Sequence, residues 1–303
     1  MPQVAFLYPG QASQYVGMGK DLYNKFALAK EIFAIANRQM GFDLSAVCFE
    51  GPEEQLKQTR ITQPAIFVHS VLVTRLLAQK NIIPDMAAGH SLGEYSALVA
   101  ADAMSFEDGL TVVKHRGELM QEAGEKQPGT MAAIVGLPYD QVVTICKQAA
   151  GAGVVTAANI NSPLQIVISG SLDGVAAAVQ LAKEQGAKKT IPLVVSGAFH
   201  SPLMAIAQEE LKRILEKIEI RSARFPVFAN VTARPVTRPE EIRTLLYQQL
   251  TQPVRWVETI ENMIAAGATD FYEVGPGDVL AGLNKRINRN FVVQTKGKLD
   301  EIE

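Results

Sequence analysis

The chain has 303 residues, enough for one large domain or two modest ones, and its 48% hydrophobic and 20% charged residues are typical of a folded globular protein. A formal net charge of −2 gives no attraction to nucleic acid or to an anionic membrane, so we expect neither as a partner. Cys48 and Cys146 lie far apart and predict neither a disulfide framework nor a metal site. With no signal-like segment and no apolar run approaching about 18 residues, we expect a cytoplasmic protein.

The first predicted element is a buried strand at residues 4–8, which ends at Pro9. The polar turn after it, residues 11–14, lies where α/β proteins place ligand-facing backbone. This turn matches neither a P-loop nor a dinucleotide-binding fingerprint, so nucleotide binding has little support. The next clear helix is predicted at residues 65–80, with Pro64 in its first turn and apolar side chains on nearly every side, which indicates burial all round.

Residues 89–93 read Gly-His-Ser-Leu-Gly, a match to G-x-S-x-G, the pattern that places a serine on a sharp turn between a strand and a helix. An apolar run precedes the motif, and an Ala- and Leu-rich helix is predicted after it, with Glu94 in the first turn where a negative charge suits the helix dipole. Glycines are needed on both sides because the turn is crowded. Ser91 is therefore a candidate nucleophile, and a serine in an ordinary glycine-bounded turn is the alternative.

After Pro128 the composition changes and six short elements follow in the order strand, helix, strand, strand, helix, strand. This is the βαββαβ order of ferredoxin-like domains. We therefore predict an α/β protein: a large α/β-hydrolase-like domain with a parallel sheet at residues 1–125 and 196–303, and a small inserted ferredoxin-like domain at 126–195. The remaining elements are predicted as helices at 204–218, 239–250, 254–266 and 279–287 and strands at 227–230, 270–274 and 291–294, before a charged, frayed tail at 296–303.

A nucleophilic serine needs a base within hydrogen-bond reach, and the chain offers four histidines. His69 lies inside an apolar helix and is expected in the core. His90 adjoins the serine but is expected to point away from it, and His115 is expected at a helix surface. His200 follows a strand in an irregular stretch, where catalytic bases are commonly held, and is the candidate base.

The third member of a triad is not evident, because no carboxylate between Ser91 and His200 occupies an obvious strand-end loop. A Ser–His pair oriented by a carbonyl or amide is therefore predicted, which argues against a plain esterase. A further helix is predicted at residues 106–123, after the one that follows the serine motif, and it carries Arg116. This arginine could bind a substrate carboxylate through two parallel hydrogen bonds. A surface salt bridge is the alternative for this arginine, and the sequence leaves both open.

Six segments occur in a fixed order along the chain: residues 10–14 (Gly-Gln-Ala-Ser-Gln), 89–95 (Gly-His-Ser-Leu-Gly-Glu-Tyr), Arg116, 159–163, Phe199-His200 and 273–277 (Glu-Val-Gly-Pro-Gly). In these segments the chain resembles the malonyl-CoA:acyl carrier protein transacylases of type II fatty acid synthesis, and the resemblance extends from residue 3 to about residue 290. It implies a two-step reaction in which a serine takes the malonyl group from malonyl-CoA and passes it to the phosphopantetheine thiol of an acyl carrier protein.

The resemblance also implies a role for each matching residue. Ser91 would carry the malonyl ester, and His200 would act as its base and then as the acid for the departing thiolate. Arg116 would bind the malonyl carboxylate. The backbone N–H groups of Gln11 and Leu92 would form the oxyanion hole, the second being the residue after the nucleophile.

Three further positions follow from the resemblance. Gln249 would orient the histidine with a carbonyl in place of the triad carboxylate. Phe199, before the histidine, would leave little room for an α-methyl group and so favour malonyl over methylmalonyl donors by a modest margin. Ala12 stands where the family usually has glycine, and if this residue has φ > 0 its methyl group would strain the loop; we expect the methyl to be tolerated.

The resemblance implies no cofactor and no metal, and we expect a monomer. Acyl carrier proteins are acidic, so a basic docking surface is expected, with candidates at Lys188-Lys189 and at Lys285, Arg286 and Arg289; ordinary solvated charge is the alternative. Two other functions stay open: a trans-acting acyltransferase or acyl hydrolase of a polyketide synthase, and a carrier-binding scaffold without turnover. The scaffold has no use for the combination of Ser91, His200 and Arg116.

Overall fold

The computed structural model describes residues 3–303 and contains two β-sheets, with helices and strands numbered here along the chain. The larger sheet has six strands in the order β10-β9-β1-β2-β7-β8. The first five of these run parallel, and β8 is antiparallel to β7. The strands are β1 (Gln3–Tyr8), β2 (Met86–Gly89), β7 (Val227–Phe228), β8 (Pro235–Val236), β9 (Ala268–Val274) and β10 (Val293–Lys296).

Helices cover both faces of this sheet, as the nearly continuous apolar sequence of β1 requires. Alternate residues of β1 enter two different cores: Phe6 and Tyr8 join the larger one, and Ala5 and Leu7 join the other. The helices of this part are α1 (Lys20–Lys25), α2 (Ala27–Met40), α3 (Leu44–Glu50), α4 (Glu53–Leu56), α5 (Thr59–Gln79), α6 (Gly93–Ala100), α7 (Phe106–Lys126), α10 (Ala205–Leu215), α11 (Pro239–Gln249), α12 (Trp256–Ala265), α13 (Val279–Ile287) and α14 (Leu299–Ile302), with a 3₁₀ turn at Pro202–Met204.

The smaller sheet has four antiparallel strands in the order β4-β5-β3-β6. Its elements are β3 (Gly129–Val135), α8 (Tyr139–Ala149), β4 (Val155–Ser162), β5 (Gln165–Ser171), α9 (Leu172–Glu184) and β6 (Lys189–Pro192), in the order that the sequence predicted. One face of the sheet packs on α8 and α9 through residues such as Ile134 and Ile168. The opposite face of this sheet lines a cavity through Met131, Ala133 and Val167. Residues from the loops that follow the strands of the larger sheet line the same cavity.

Three predictions about elements were wrong. Helix α5 begins at Thr59, so Pro64 lies inside the helix rather than in its first turn. Proline has no backbone N–H to donate within the helix, and the helix continues past it in a segment that is buried on nearly every side. Strand β4 continues through residues 159–162, which were predicted as a loop, because register shifts in its pairing with β5 accommodate the polar residues. The tail is ordered as α14: Glu301 accepts backbone hydrogen bonds from Gly297 and Lys298, and Ile302 is buried.

Helix α5 also differs from the expectation that no segment is apolar enough to cross a membrane. By length and composition alone it meets that criterion, with a mean hydropathy of 1.4, but 83% of the segment is buried inside the fold. It packs against α7 and α6, as predicted for a helix covered by other elements. Helix α5 is therefore the central core helix.

The serine turn is possible only because its glycines let three backbone segments meet. Tyr8 at the end of β1 pairs with Gly89 at the end of β2, so the loops that follow these strands emerge side by side. A Cβ on Gly89 would lie 1.8 Å from the carbonyl carbon of Gly93, and a Cβ on Gly93 would lie 2.1 Å from the carbonyl oxygen of Tyr8. Neither glycine can be replaced without moving backbone.

Gly89→Ala is therefore expected to lower the free energy of unfolding by more than about 3 kcal/mol, because backbone rather than a flexible side chain has to move. Gly151→Ala is the matched control, since a Cβ there meets nothing within 4 Å and the change should stay within about 1 kcal/mol. Urea denaturation of both variants measures the difference. Equal stability of Gly89→Ala and wild type would contradict the crowded turn.

Candidate active site

Ser91 lies on the turn between β2 and α6 with φ at 51°, a left-handed conformation that a serine rarely adopts. Two side chains from elsewhere in the sequence hold its backbone. Asn230, just after β7, accepts a hydrogen bond from the Ser91 N–H at 2.7 Å and donates one to the Gly89 carbonyl at 2.6 Å. Gln249 at the end of α11 donates to the Ser91 carbonyl at 3.0 Å. These contacts compensate the strain.

His200 completes a dyad with this serine. Its Nε2 lies 2.8 Å from Ser91 Oγ, and its Nδ1 lies 2.8 Å from the backbone carbonyl oxygen of Gln249. A carbonyl can only accept, so Nδ1 carries the proton and Nε2 is left free to accept the serine proton. The orienting group predicted as a carbonyl or amide is thus the main chain of Gln249.

The environment keeps His200 neutral. Burial, and after it the positive charge of Arg116, lower the pKa of His200 to about 3, against the raising effect of the hydrogen bond to the Gln249 carbonyl. The side chain is 3% exposed. His200 is therefore in the form that can accept a proton throughout the physiological pH range.

Arg116 is buried beside the dyad, so the surface salt bridge considered from the sequence is wrong. Its Nη2 donates to Ser91 Oγ at 3.0 Å and to Gln249 Oε1 at 2.9 Å, and its Nη1 donates to Gln63 Oε1 at 2.6 Å. The guanidinium also lies over the ring of Tyr95, with 5.4 Å between Cζ and the ring centroid. All of these partners are formally neutral, and within residues 3–303 Arg116 makes no ion pair.

Gln11 and Leu92 border the same space. In the described part of the chain, neither of their backbone N–H groups donates a hydrogen bond, and both residues line the cavity in front of Ser91. Ala12 lines the same cavity and has φ at 86°, so the positive φ that would strain an alanine is present. The Ala12 N–H donates to Gln14 Oε1 at 2.9 Å, which helps to hold the loop.

The cavity has a volume of about 570 Å³ and lies between the two sheets. Its floor is the dyad, with the buried ring of Phe199 and the apolar side chains of the smaller sheet as one wall. His90 turns away from Ser91, as predicted, and its Nε2 lies 2.8 Å from Asn161 Oδ1 in the same lining. The space is sufficient for an acyl group and the thioester-bearing arm behind it.

The remaining candidates lie away from the dyad. His69 is buried in α5, and His115 is part-exposed beside Glu118, as expected. Both cysteines are buried thiols. Lys188 and Lys189 are exposed near β6, and a second cavity lined by Lys285, Arg286 and Arg289 shares Gln165 with the first. Over residues 3–303, no group of three or more His, Cys, Asp and Glu side chains is arranged to hold a metal.

Sequence reasoning missed three residues that build the site. Asn230 follows a strand of only two residues, and Gln63 lies within a helix whose other residues are mostly apolar, so neither has a recognisable motif. Glu94 stands inside the serine motif but was expected to act only on the helix dipole. It is 2% exposed and lies in the same hydrogen-bond network.

A serine on a strand–helix turn, with a histidine nitrogen within hydrogen-bond distance of its hydroxyl, is the arrangement of an enzyme of the acyl-transfer class. Comparison with known proteins agrees, since the family described as acyl transferase domain matches residues 5–291. The malonyl CoA-acyl carrier protein transacylase of Bacillus subtilis is 47% identical over 95% of this chain and 92% of its own. That of Staphylococcus aureus is 42% identical over 100% of this chain and 98% of its own.

Solved structures give the same result. The malonyl CoA-acyl carrier protein transacylase from Coxiella burnetii superposes with a TM-score of 0.96 at 40% identity, over 99% of this chain and 96% of that one. A malonyl-transacylase in complex with a type II polyketide synthase acyl carrier protein matches equally, with a TM-score of 0.96, 40% identity and 99% and 97% coverage. The chain belongs to the acyl transferase domain family, among the malonyl CoA-acyl carrier protein transacylases.

The low pKa of His200 predicts how serine reactivity depends on pH. The base is the neutral imidazole, which predominates above the pKa, so a pKa of about 3 leaves it neutral from pH 5 to pH 8. Labelling of Ser91 by a small uncharged fluorophosphonate should therefore vary less than about twofold over this range. A histidine with an ordinary pKa near 6.5 would lose about tenfold by pH 5.5. Intact-mass kinetics measures the rate, and a tenfold acid loss would overturn the assignment.

Proposed function

We propose that this protein transfers the malonyl group of malonyl-CoA to the phosphopantetheine thiol of an acyl carrier protein, through a malonyl ester on Ser91. The Ser91 oxygen attacks the thioester carbonyl carbon while its proton moves to Nε2 of His200. The N–H groups of Gln11 and Leu92 stabilise the negative oxygen of the tetrahedral intermediate. The carbon–sulfur bond then breaks, and the departing CoA thiolate takes the proton from His200.

The second half of the reaction reverses these movements with a different thiol. The carrier thiol gives its proton to His200 and attacks the ester carbonyl of malonyl-Ser91. The bond to Ser91 Oγ breaks, the serine recovers its proton from His200, and the malonyl thioester leaves on the carrier. No metal or cofactor is required, because both steps exchange an acyl group between an oxygen and a sulfur.

The observation that carries the malonyl assignment is Arg116. Its guanidinium is buried 3.0 Å from the Ser91 hydroxyl and has no anionic partner in contact with it. A buried cation is costly unless it is paired, and the free carboxylate of a malonyl group on Ser91 would supply the missing negative charge. An uncharged acyl group would leave the cation unpaired, so the same residue would reject it.

Phe199 supports a preference within the charged donors. Its ring is 5% exposed and lines the cavity directly before His200 in the sequence. A methyl group on the α-carbon of the donor would have to share this space. A difference of one methylene between two substrates typically changes the ratio of their kcat/KM values by about 10- to 200-fold. We therefore assign malonyl over methylmalonyl specificity to this side chain.

The carrier partner is supported by a relative rather than by this chain alone. One structure that superposes on the whole chain is a malonyl-transacylase bound to a type II polyketide synthase acyl carrier protein. Exposed cations lie at Lys188-Lys189, and Lys285, Arg286 and Arg289 line a cavity that adjoins the first one. Both groups would suit an acidic carrier. A fatty acid carrier is favoured by the curated relatives, and a polyketide carrier is the alternative that this complex supports. We expect a cytoplasmic monomer.

The architecture fits a catalytic domain with an inserted lid-like unit. We propose that residues 1–125 and 196–303 form an α/β-hydrolase-like domain and that residues 126–195 form a ferredoxin-like domain. The supporting observations are the parallel strands with a serine turn after β2, and the βαββαβ order with sheet order β4-β5-β3-β6. The cavity between the sheets then combines catalytic groups from one unit with an apolar wall from the other.

Malonyl loading tests the proposal directly. Wild-type protein incubated with malonyl-CoA should gain one malonyl mass, and Ser91→Ala should gain none, because the serine oxygen forms the ester. Intact-mass spectrometry measures both. With no carrier present the adduct should be released slowly to water, whereas release as fast as transfer would indicate a hydrolase. A wild-type protein that gains no malonyl mass would contradict the transferase proposal and would favour a carrier-binding scaffold without turnover.

Arg116→Ala should lower malonyl loading by at least about thirtyfold, since truncating one partner of a buried charge pair costs about 2–5 kcal/mol. The same variant should load acetyl groups at least as well as wild type, because no unpaired cation then rejects them. Parallel loading with malonyl-CoA and acetyl-CoA gives the ratio. Unchanged malonyl loading would remove the carboxylate-binding role from Arg116.

A further inference from the structure

Glu94 is a buried carboxylate that the reaction steps above do not use. It lies in the first turn of α6, three residues after the nucleophile, and only 2% of it is exposed. One oxygen, Oε2, accepts two hydrogen bonds, from the backbone N–H of Asn230 at 3.0 Å and from Gln249 Nε2 at 2.8 Å. Both partners are the residues that hold the strained backbone of Ser91.

The contact with Gln249 decides which way that amide faces. Its Nε2 donates to Glu94 and to the Ser91 carbonyl, and its Oε1 accepts from Arg116 Nη2 at 2.9 Å. In the opposite orientation, the amide N–H groups would face the guanidinium donors and the amide oxygen would face two other oxygens. An ionised Glu94 can only accept, so it excludes that orientation.

The charge of Glu94 also acts on Arg116. The side-chain amide of Gln249 bridges the two groups. It accepts a hydrogen bond from the Arg116 guanidinium and donates one to the Glu94 carboxylate. Because the link is indirect, Glu94 does not occupy the donor groups of Arg116 as a salt bridge would. A substrate carboxylate can therefore still approach the guanidinium.

We propose that Glu94 is a positioning residue for the charged donor: through Gln249 it holds Arg116 where the substrate carboxylate binds. This inference rests on the proposed malonyl transfer. It assigns selectivity for a charged acyl group to a network of Glu94, Gln249 and Arg116 rather than to the arginine alone. Glu94 itself touches neither the acyl group nor the reacting atoms.

The test is the ratio of malonyl to acetyl loading on Ser91, measured by intact mass in single-turnover reactions. Glu94→Gln keeps the size of the side chain but removes its charge and lets the Gln249 amide turn over. The malonyl rate should fall about 10- to 100-fold, as for other residues that orient a binding group, and the malonyl-to-acetyl ratio should fall by at least about fivefold. Glu122→Gln, at an exposed site on α7, is the matched control and should change neither rate.

A purely structural role would lower both loading rates together and leave the ratio unchanged, and that result in folded Glu94→Gln overturns the proposal. If wild-type protein loads no malonyl group, the proposed function itself fails. If wild type loads malonyl and the ratio is unaffected by Glu94→Gln, only the role of Glu94 fails. Circular dichroism and urea denaturation establish that the variant is folded.

A second measurement covers the case in which Glu94→Gln does not fold. Burial raises the pKa of Glu94 to about 7, against the lowering effects of the Asn230 and Gln249 hydrogen bonds and of Arg116. The carboxylate form predominates above this pKa, so the wild-type malonyl-to-acetyl ratio should fall as the pH is lowered from 8 to 6.

The titratable groups near Glu94 and its partners are Arg116 on α7, Tyr95 on α6, His90 in the serine turn and His200. Arg116 and Tyr95 do not change charge between pH 6 and pH 8, since burial raises the pKa of Tyr95 to about 12. His200 stays neutral over this range because burial lowers its pKa to about 3, and burial lowers the pKa of His90 as well, so that both imidazoles are uncharged. A ratio that is constant from pH 6 to pH 8 overturns the proposal.

Discussion

The site depends on the buried positive charge of Arg116, which has no anionic partner in contact with it among residues 3–303. Arg116 is held beside Ser91 by the neutral acceptors Gln63 and Gln249, and Tyr95 covers one of its faces. Burying such a charge costs desolvation free energy, which a counter-charge in contact with it would offset. The side chains in contact with the guanidinium are amides, a hydroxyl and an aromatic ring, and the carboxylate of Glu94 lies one amide further away. The position of a directly bound counter-ion is therefore left to a ligand.

This constraint accounts for the absence of an aspartate or glutamate behind His200. A carboxylate there would lie close to Arg116 and would compete with the substrate as its counter-ion. The main-chain carbonyl of Gln249 performs the orienting task without a full charge, at 2.8 Å from Nδ1. The imidazolium that forms during each half-reaction is then stabilised less than in a charged triad. Proton return to the leaving group is correspondingly easier.

The local signals in the sequence were sufficient for the order of the elements in the smaller sheet's part of the chain, for the serine turn and for the choice of histidine, because each rests on neighbouring residues. The glycines of residues 89–93 and the irregular stretch before His200 are such signals. The burial of Arg116 could not be predicted, because it results from contacts with residues that are distant in the sequence. Gln63 is 53 positions away and Gln249 is 133 positions away. Asn230 was missed for the same reason. The order of the tail could not be predicted either, because the contacts that bury Ile302 are likewise long-range.

The division of Gln249 between main chain and side chain has a consequence for genetic variation. Its carbonyl orients His200, and its amide serves Arg116, Glu94 and the Ser91 carbonyl. Codon changes at this position can alter only the amide, because every amino acid supplies the same carbonyl. A substitution at residue 249 would therefore first weaken the recognition of a charged acyl group by Arg116. The Ser91–His200 pair would stay oriented, so the variant would lose selectivity among acyl donors before it loses acyl transfer.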